Sequence, residues 1–178
     1  TIMMSLEGIP AFYIHSLLAT RNYHEAVAET GHNRTINRYK WNINVLETAL
    51  ADPTTPHAKV FQELSRLIGI RRRQRAFHPN ATQYTLHPLN PAIFAFWRQS
   101  MARDQSIFSI HNLSNQPQEL QLSDLNLLDT DEWIDLISGD RLMPLGADYL
   151  IQPYQSLWIT NKVDSAADVS TPDPFLSE

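Results

Sequence analysis

The apolar residues of this chain change their period once. Up to about residue 76 they fall at helical spacing or in one short continuous run; beyond it they alternate with polar residues. Residues 2–7 are apolar with a polar face and run into Gly8, a residue type that commonly takes the left-handed position after a helix. Residues 11–14 form a continuous apolar run behind Pro10, the pattern of a strand buried on both faces of a parallel sheet, with proline tolerated at its first position. Helix end, tight turn and buried strand, in that order, is α/β grammar. The chain therefore reads as starting inside a larger unit.

Residues 19–40 are mostly polar and predict a long loop just after that strand. Val45, Leu46, Ala49 and Leu50 predict a helix over about 43–51, broken by Asp52 and Pro53. A second helix is predicted from Pro56 to about Gln74, capped by Thr55, with Val60, Phe61, Leu64, Leu67 and Ile68 as its buried stripe. After Pro79 the alternation predicts strands over 82–87, 92–98, 105–111, 117–122, 132–137 and 154–160, separated by turn signals at Asn90-Pro91, residues 112–117 and Gly139-Asp140. Short strands at this spacing imply a small antiparallel sandwich. Residues 163–178 are rich in Ser, Asp and Pro and read as a disordered tail.

Composition narrows the field. The 178 residues are 43% hydrophobic and 19% charged, enough for a packed core, and the net charge of −5 argues against a nucleic-acid partner. Cysteine is absent, which removes disulfides, thiolate metal sites and thiol nucleophiles and suits a reducing cytoplasm. No apolar run approaches the roughly 20 residues that span a bilayer, so no membrane partner is expected. Three Asn-x-Ser/Thr triplets begin at Asn33, Asn80 and Asn112; with no secretory leader at residues 1–6 they read as coincidence rather than glycan acceptors.

The seven histidines are scattered without metal-ligand spacing, and neither a phosphate loop nor a nucleophile elbow occurs, so no metal and no cofactor is called for. Arg71, Arg72, Arg73 and Arg75 crowd a helix C-terminus, where cations complement the dipole; an anion site is the other reading. Trp97 and Trp158 fall in apolar strands and read as core; they, Trp133 and Tyr154 are the rings available for stacking on a sugar. His15, at the end of the predicted buried strand, faces either a site or the core. The densest polar constellation runs from Thr30 to Arg38. Its two arginines and two asparagines can hold sugar hydroxyls, carboxylate or phosphate, or can clamp the loop through Glu25, Glu29 and backbone carbonyls.

The segment Gly8-Ile9-Pro10-Ala11-Phe12-Tyr13-Ile14-His15 resembles the eighth barrel strand of the α-amylase superfamily, glycoside hydrolase family 13. With Ser16-Leu17-Leu18, Arg21-Asn22, Arg34-Thr35-Ile36-Asn37-Arg38 and Arg75-Ala76-Phe77-His78-Pro79, the chain is similar to the sucrose phosphorylase-like branch, from residue 1 to about 160. This resemblance implies the last strand and helices of an incomplete (β/α)8 barrel over 1–76, a small antiparallel β-sandwich over 77–162, and the tail. It also implies a retaining phosphorylase: an aspartate attacks the anomeric carbon, a glutamate protonates the leaving group, and phosphate takes the glucosyl unit to give glucose 1-phosphate. Those acids are expected upstream of residue 1. Asp52, Asp104 and Asp131 match no catalytic motif, so this piece alone is expected to be inactive. Arg34 matches the family arginine of the sugar and phosphate subsites, and Asn37 and Arg38 complete the same substrate-binding motif. The implied partners are a small carbohydrate and phosphate. A fragment of an α-glucan or sucrose hydrolase is the enzymatic alternative, and a carbohydrate-binding β-sandwich the non-enzymatic one.

Overall fold

The computed structural model describes residues 1–125, 133–142 and 148–162, so Asp131 and the expected tail lie outside the described residues. Five helices, α1 (Ile2–Ser5), α2 (Ile14–Leu17), α3 (His24–Thr30), α4 (Ile43–Ala51) and α5 (Pro56–Arg72), precede seven strands among the described residues. The strands are β1 (Thr82–Leu86), β2 (Ile93–Gln99), β3 (Ser106–Asn112), β4 (Gln118–Gln121), β5 (Ile134–Asp135), β6 (Asp148–Ile151) and β7 (Ser156–Thr160). The chain divides into two compact units, one of Ala11–Ile68 and one of Thr1–Pro10 with Gly69 onward.

The strand-bearing unit is wholly antiparallel, with a five-stranded sheet ordered β1-β2-β3-β7-β5 and a two-stranded sheet of β4 and β6. Alternation decides which side chains meet. Ile93 and Ala95 of β2, Phe108 and Ile110 of β3, and Leu157 and Ile159 of β7 share one face, and cluster with Leu120 and Ile151 of the smaller sheet. That cluster is the sandwich core. The opposite face of the larger sheet is also covered: Phe96, Arg98, Ile107, Ser109, His111 and Trp158 are all buried. Trp158 meets the Phe77 ring edge-on at 4.9 Å. The Arg98 guanidinium, with no solvent exposure, donates to the carbonyls of Ser5, His78 and Ala81. Fixing one residue against three chain carbonyls ties the N-terminal ten residues to the sheet.

Five of the six predicted strands form within a residue or two of their expected ends. The sixth shrinks to the two residues of β5, because the Asp135 carboxylate accepts from the N–H groups of Ile137, Ser138 and Trp158 and turns the chain towards Gly139 (φ +84°). β6 escaped the sequence reading. The two long helices form where predicted, and Thr55 Oγ1 accepts from the Ala58 N–H at 3.1 Å as the expected cap.

Three expectations fail in the N-terminal stretch. α1 ends at Ser5 with an extended cap at Leu6, so Gly8 (φ +87°) serves a later turn rather than the helix cap. The polar segment 19–40 is not one loop but folds into α3 and a 3₁₀ turn at Asn33–Asn37. Residues 11–14 form no strand: the backbone is extended to Tyr13 and enters α2 at Ile14, with no ladder partner among the described residues. An apolar run carries a preference for burial, but a parallel strand exists only through hydrogen bonds to neighbouring strands. Tyr13 and Ile14 accordingly stand 52% and 53% exposed. The last barrel strand is thus not a feature of this structure. No helix among the described residues is long and apolar enough to cross a membrane.

Candidate functional site

Within Ala11–Ile68 lies an open pocket of about 380 Å³, lined by residues 20–23 with Glu25, Tyr39, Trp41 and His57. Its floor begins at Ala19, whose φ of +50° puts a residue with a side chain in the left-handed region. The turn lets the Thr20 N–H reach the His15 carbonyl at 2.8 Å. Thr20 Oγ1 then accepts from the Trp41 indole N–H at 2.9 Å and lies 3.2 Å from His15 Nδ1. One wall is built by α3. Gly31, at φ +67°, closes that helix by donating to the Val27 carbonyl, and the Tyr23 N–H donates to the Ile36 carbonyl at 2.8 Å. Those two bonds fold the 3₁₀ turn back against the start of α3.

Four rings follow one another along the wall. Tyr23 meets Tyr39 at 5.3 Å, Tyr39 meets Trp41 at 5.1 Å, and Trp41 meets His57 at 5.0 Å, each edge to face. His57 stands in the first turn of α5, with Nδ1 2.7 Å from the Leu18 carbonyl oxygen. A carbonyl only accepts, so Nδ1 carries the proton and, in the neutral ring, Nε2 keeps its lone pair. Arg21 and Glu25 both line the pocket, yet neither forms an ion pair among the described residues.

Arg34, Asn37 and Arg38, the substrate-binding residues expected from sequence, are exposed on and just after the 3₁₀ turn, and none lines this pocket. The side chains of Arg34 and Arg38 make no hydrogen bond or ion pair among the described residues, so the loop clamp through Glu25 and Glu29 does not form. Asn37 has a structural part as well, since its carbonyl accepts from the Tyr13 hydroxyl. His15 is half-buried behind Thr20, against the Tyr13 ring at 5.2 Å. Sequence reasoning passed over Tyr23, Tyr39, Trp41 and His57. The aromatic pair two residues apart, directly after Arg38, was the available signal. His57 gave none, because a histidine in a first helical turn looks like any polar residue there.

Elsewhere the structure removes competitors. Arg71 donates to the carbonyls of Met4 and Gly8, and Arg75 pairs with Asp104 at 2.9 Å, so these cations hold backbone and carboxylate rather than gather as an anion site. Asp52 binds the backbone and hydroxyl of Thr54. Asn112 is buried, and its amide donates to the carbonyls of Gln116, Ile151 and Gln152, which leaves it unavailable to a glycan in the folded chain. Trp158 is fully buried, Trp97 lies between Tyr84 and Phe108, and Trp133 packs on Phe108. Tyr154 alone among the four stands well exposed, so they present no open aromatic platform for a sugar.

Comparison with known proteins gives the site its context. Residues 84–158 match the Maltogenic Amylase, C-terminal domain family. The chain is 32% identical over 158 residues to glucosylglycerate phosphorylase from Escherichia coli (strain K12), covering 89% of this chain and 26% of that protein. It is 33% identical over 167 residues to the glucosylglycerate phosphorylase of Spirochaeta thermophila, covering 89% and 28%. The chain thus spans about a quarter of the length of the curated relatives it matches. Among solved structures, a maltogenic amylase from S. marinus superposes with a TM-score of 0.61 at 13% identity, over 92% of this chain and 19% of that one. A trehalulose synthase, MutB, superposes with a TM-score of 0.60 at 17% identity, over 89% and 37%. At those identities the likeness is one of fold.

Proposed function

Because the chain belongs to glycoside hydrolase family 13 and corresponds to the C-terminal part of its members, we propose that it is the C-terminal part of a retaining glucoside phosphorylase. The substrate of the whole protein is glucosylglycerate: phosphate replaces glycerate at the anomeric carbon, giving glucose 1-phosphate and free glycerate. The observation that carries this reading is the 32–33% identity to glucosylglycerate phosphorylases across 89% of the chain. In a retaining transfer one carboxylate attacks the anomeric carbon as a carboxylic acid protonates the departing oxygen, and phosphate then displaces the enzyme carboxylate with net retention. We place both acids in the portion of the longer protein that this chain does not span.

The contribution of this chain is binding. Arg34 carries an uncommitted guanidinium at the surface, and a planar fork of donors suits either the oxygens of phosphate or the carboxylate of glycerate. Arg38 stands beside it in the same condition, and Asn37 holds the turn that presents both. The parsing that goes with this proposal keeps residues 1–76 with the catalytic barrel, where 11–14 gain their strand neighbours, and 77–162 as the sandwich. The cysteine-free composition accords with a cytoplasmic enzyme.

The test is glucose 1-phosphate release from glucosylglycerate by the full-length protein, with and without phosphate. Phosphorolysis requires release that depends on phosphate; free glucose formed at the same rate without it makes the protein a hydrolase. Arg34→Ala in that protein should weaken phosphate or glycerate use by about 1.5–3 kcal/mol, the scale of a hydrogen bond to a charged group. Unchanged KM values for both would reduce Arg34 to a surface residue.

A further inference from the structure

Arg34 and Arg38 stand on and just after a turn that packing does not hold, since no residue of Asn33–Asn37 is buried. Its shape rests on hydrogen bonds. At the N-terminal end Thr30 Oγ1 donates to the Ala26 carbonyl at 2.6 Å and accepts from the His32 N–H at 3.3 Å, and Thr35 Oγ1 donates to the His32 carbonyl at 2.7 Å. In the middle the Ile36 carbonyl accepts from the Tyr23 N–H at 2.8 Å. At the C-terminal end the Asn37 carbonyl accepts from the Tyr13 hydroxyl. Of these bonds only the last comes from outside residues 20–38.

The last carbonyls of a helix have no partner within it, and the Asn37 carbonyl is one of them. It belongs to the peptide that leads directly into Arg38, and Arg34 lies one 3₁₀ turn earlier. Tyr13 and Asn37 are both exposed, so water can take the place of the hydroxyl at that carbonyl. The other contact of the Tyr13 ring, edge-on to His15 at 5.2 Å, does not involve the hydroxyl. The hydroxyl thus orders the turn more than it stabilises the fold. Order matters for affinity, because arginines on a loose turn must be fixed when an anion binds, and that cost is subtracted from binding.

We infer that Tyr13 is a positioning residue, whose hydroxyl fixes the Asn37 peptide and so presents Arg34 to the anionic group of the substrate. The inference rests on the assignment of Arg34 to the phosphate or glycerate subsite. It holds equally if residues 11–14 pair with further strands in the longer protein, because a ladder uses backbone N–H and C=O groups and leaves the hydroxyl free.

The test is steady-state phosphorolysis of glucosylglycerate by the full-length protein, with KM read separately for glucosylglycerate and for inorganic phosphate. Arg34→Ala identifies the anion that Arg34 holds, as the substrate whose KM rises more. Tyr13→Phe should raise that same KM about fivefold, the scale of ordering a turn and its side chains on binding, while kcat stays within about twofold. In the Arg34→Ala background Tyr13→Phe should raise it no further, because the two residues act through one contact. A tyrosine that only supports the fold would lower kcat or the urea midpoint and spare the KM that depends on Arg34. An unchanged KM in Tyr13→Phe, a rise of equal size with and without Arg34, or a fall in kcat in place of the KM effect would each overturn the inference and leave the Arg34 assignment standing. If Arg34→Ala moves neither KM, both fall. Turnover that does not depend on phosphate removes the phosphorylase reading alone, and the KM for glucosylglycerate still reports on Tyr13.

Discussion

Lowering the pH should destabilise the sandwich through one residue, His111. Its ring is 1% exposed in the face of the larger sheet opposite the core, beside Phe94 and Phe96 at 6.1 and 5.8 Å between ring centroids. Nε2 is 2.9 Å from the Ser109 hydroxyl and Nδ1 2.8 Å from that of Ser156. The two hydroxyls satisfy a neutral imidazole, and no carboxylate pairs with the ring among the described residues. Burial therefore pushes its pKa down from the usual 6.5 to about 4.

The sign follows from proton counting. Between pH 6.5 and 4 the unfolded chain binds a proton at this position and the folded chain does not, so stability rises with pH across that window. The contribution is complete above about 6.5 and is lost progressively as the pH falls towards about 4. Integrating the difference from pH 7 to pH 5 gives roughly 2 kcal/mol, or most of the ~3 kcal/mol that the whole shift represents. The assay is urea unfolding of the protein at pH 7 and pH 5, wild type beside His111→Gln, which cannot titrate. His111→Gln should be less stable than wild type at pH 7 but should lose about 2 kcal/mol less between the two pH values. Parallel losses in both proteins would show that the buried imidazole is not the acid-sensitive group and would refute the reasoning.

Other consequences concern the clamps and caps. Arg98→Met keeps the aliphatic stem but strands the carbonyls of Ser5, His78 and Ala81, and should cost about 3 kcal/mol or more, read as a lower urea midpoint together with faster amide exchange over residues 1–10. Thr55→Ala removes the acceptor for the Ala58 N–H and should cost about 1 kcal/mol, with loss of exchange protection confined to the first turn of α5.

Much of this protein was legible along the chain wherever structure is local. Period-two alternation located five strands, Asp52 and Pro53 marked the break between α4 and α5, and Thr55 announced its own cap, because such signals act within a few residues of themselves. The apolar character of Trp158 implied burial, and it is buried. The resemblance to glycoside hydrolase family 13 rests on Gly8–His15 taken with Ser16–Leu18, Arg21-Asn22, Arg34–Arg38 and Arg75–Pro79, since runs of adjacent residue types survive in the sequence whatever they pack against.

What tertiary structure decided depended on partners distant in sequence. The run at 11–14 has the composition of a buried strand, yet in this chain it has no ladder to join, and a strand is a relation between segments rather than a property of one. The fate of Arg71 and Arg98 was set by carbonyls of residues 4–8, some sixty to ninety positions away, which a helix-dipole argument cannot see. The pocket gathers Thr20, Tyr39, Trp41 and His57 through single long-range bonds, from Trp41 to Thr20 and from His57 to Leu18. Sequence determined which segments could be helix, strand or cap, because those preferences are written in neighbouring residues; the three-dimensional fold determined which side chains meet, because that is written only in the pairing of segments far apart.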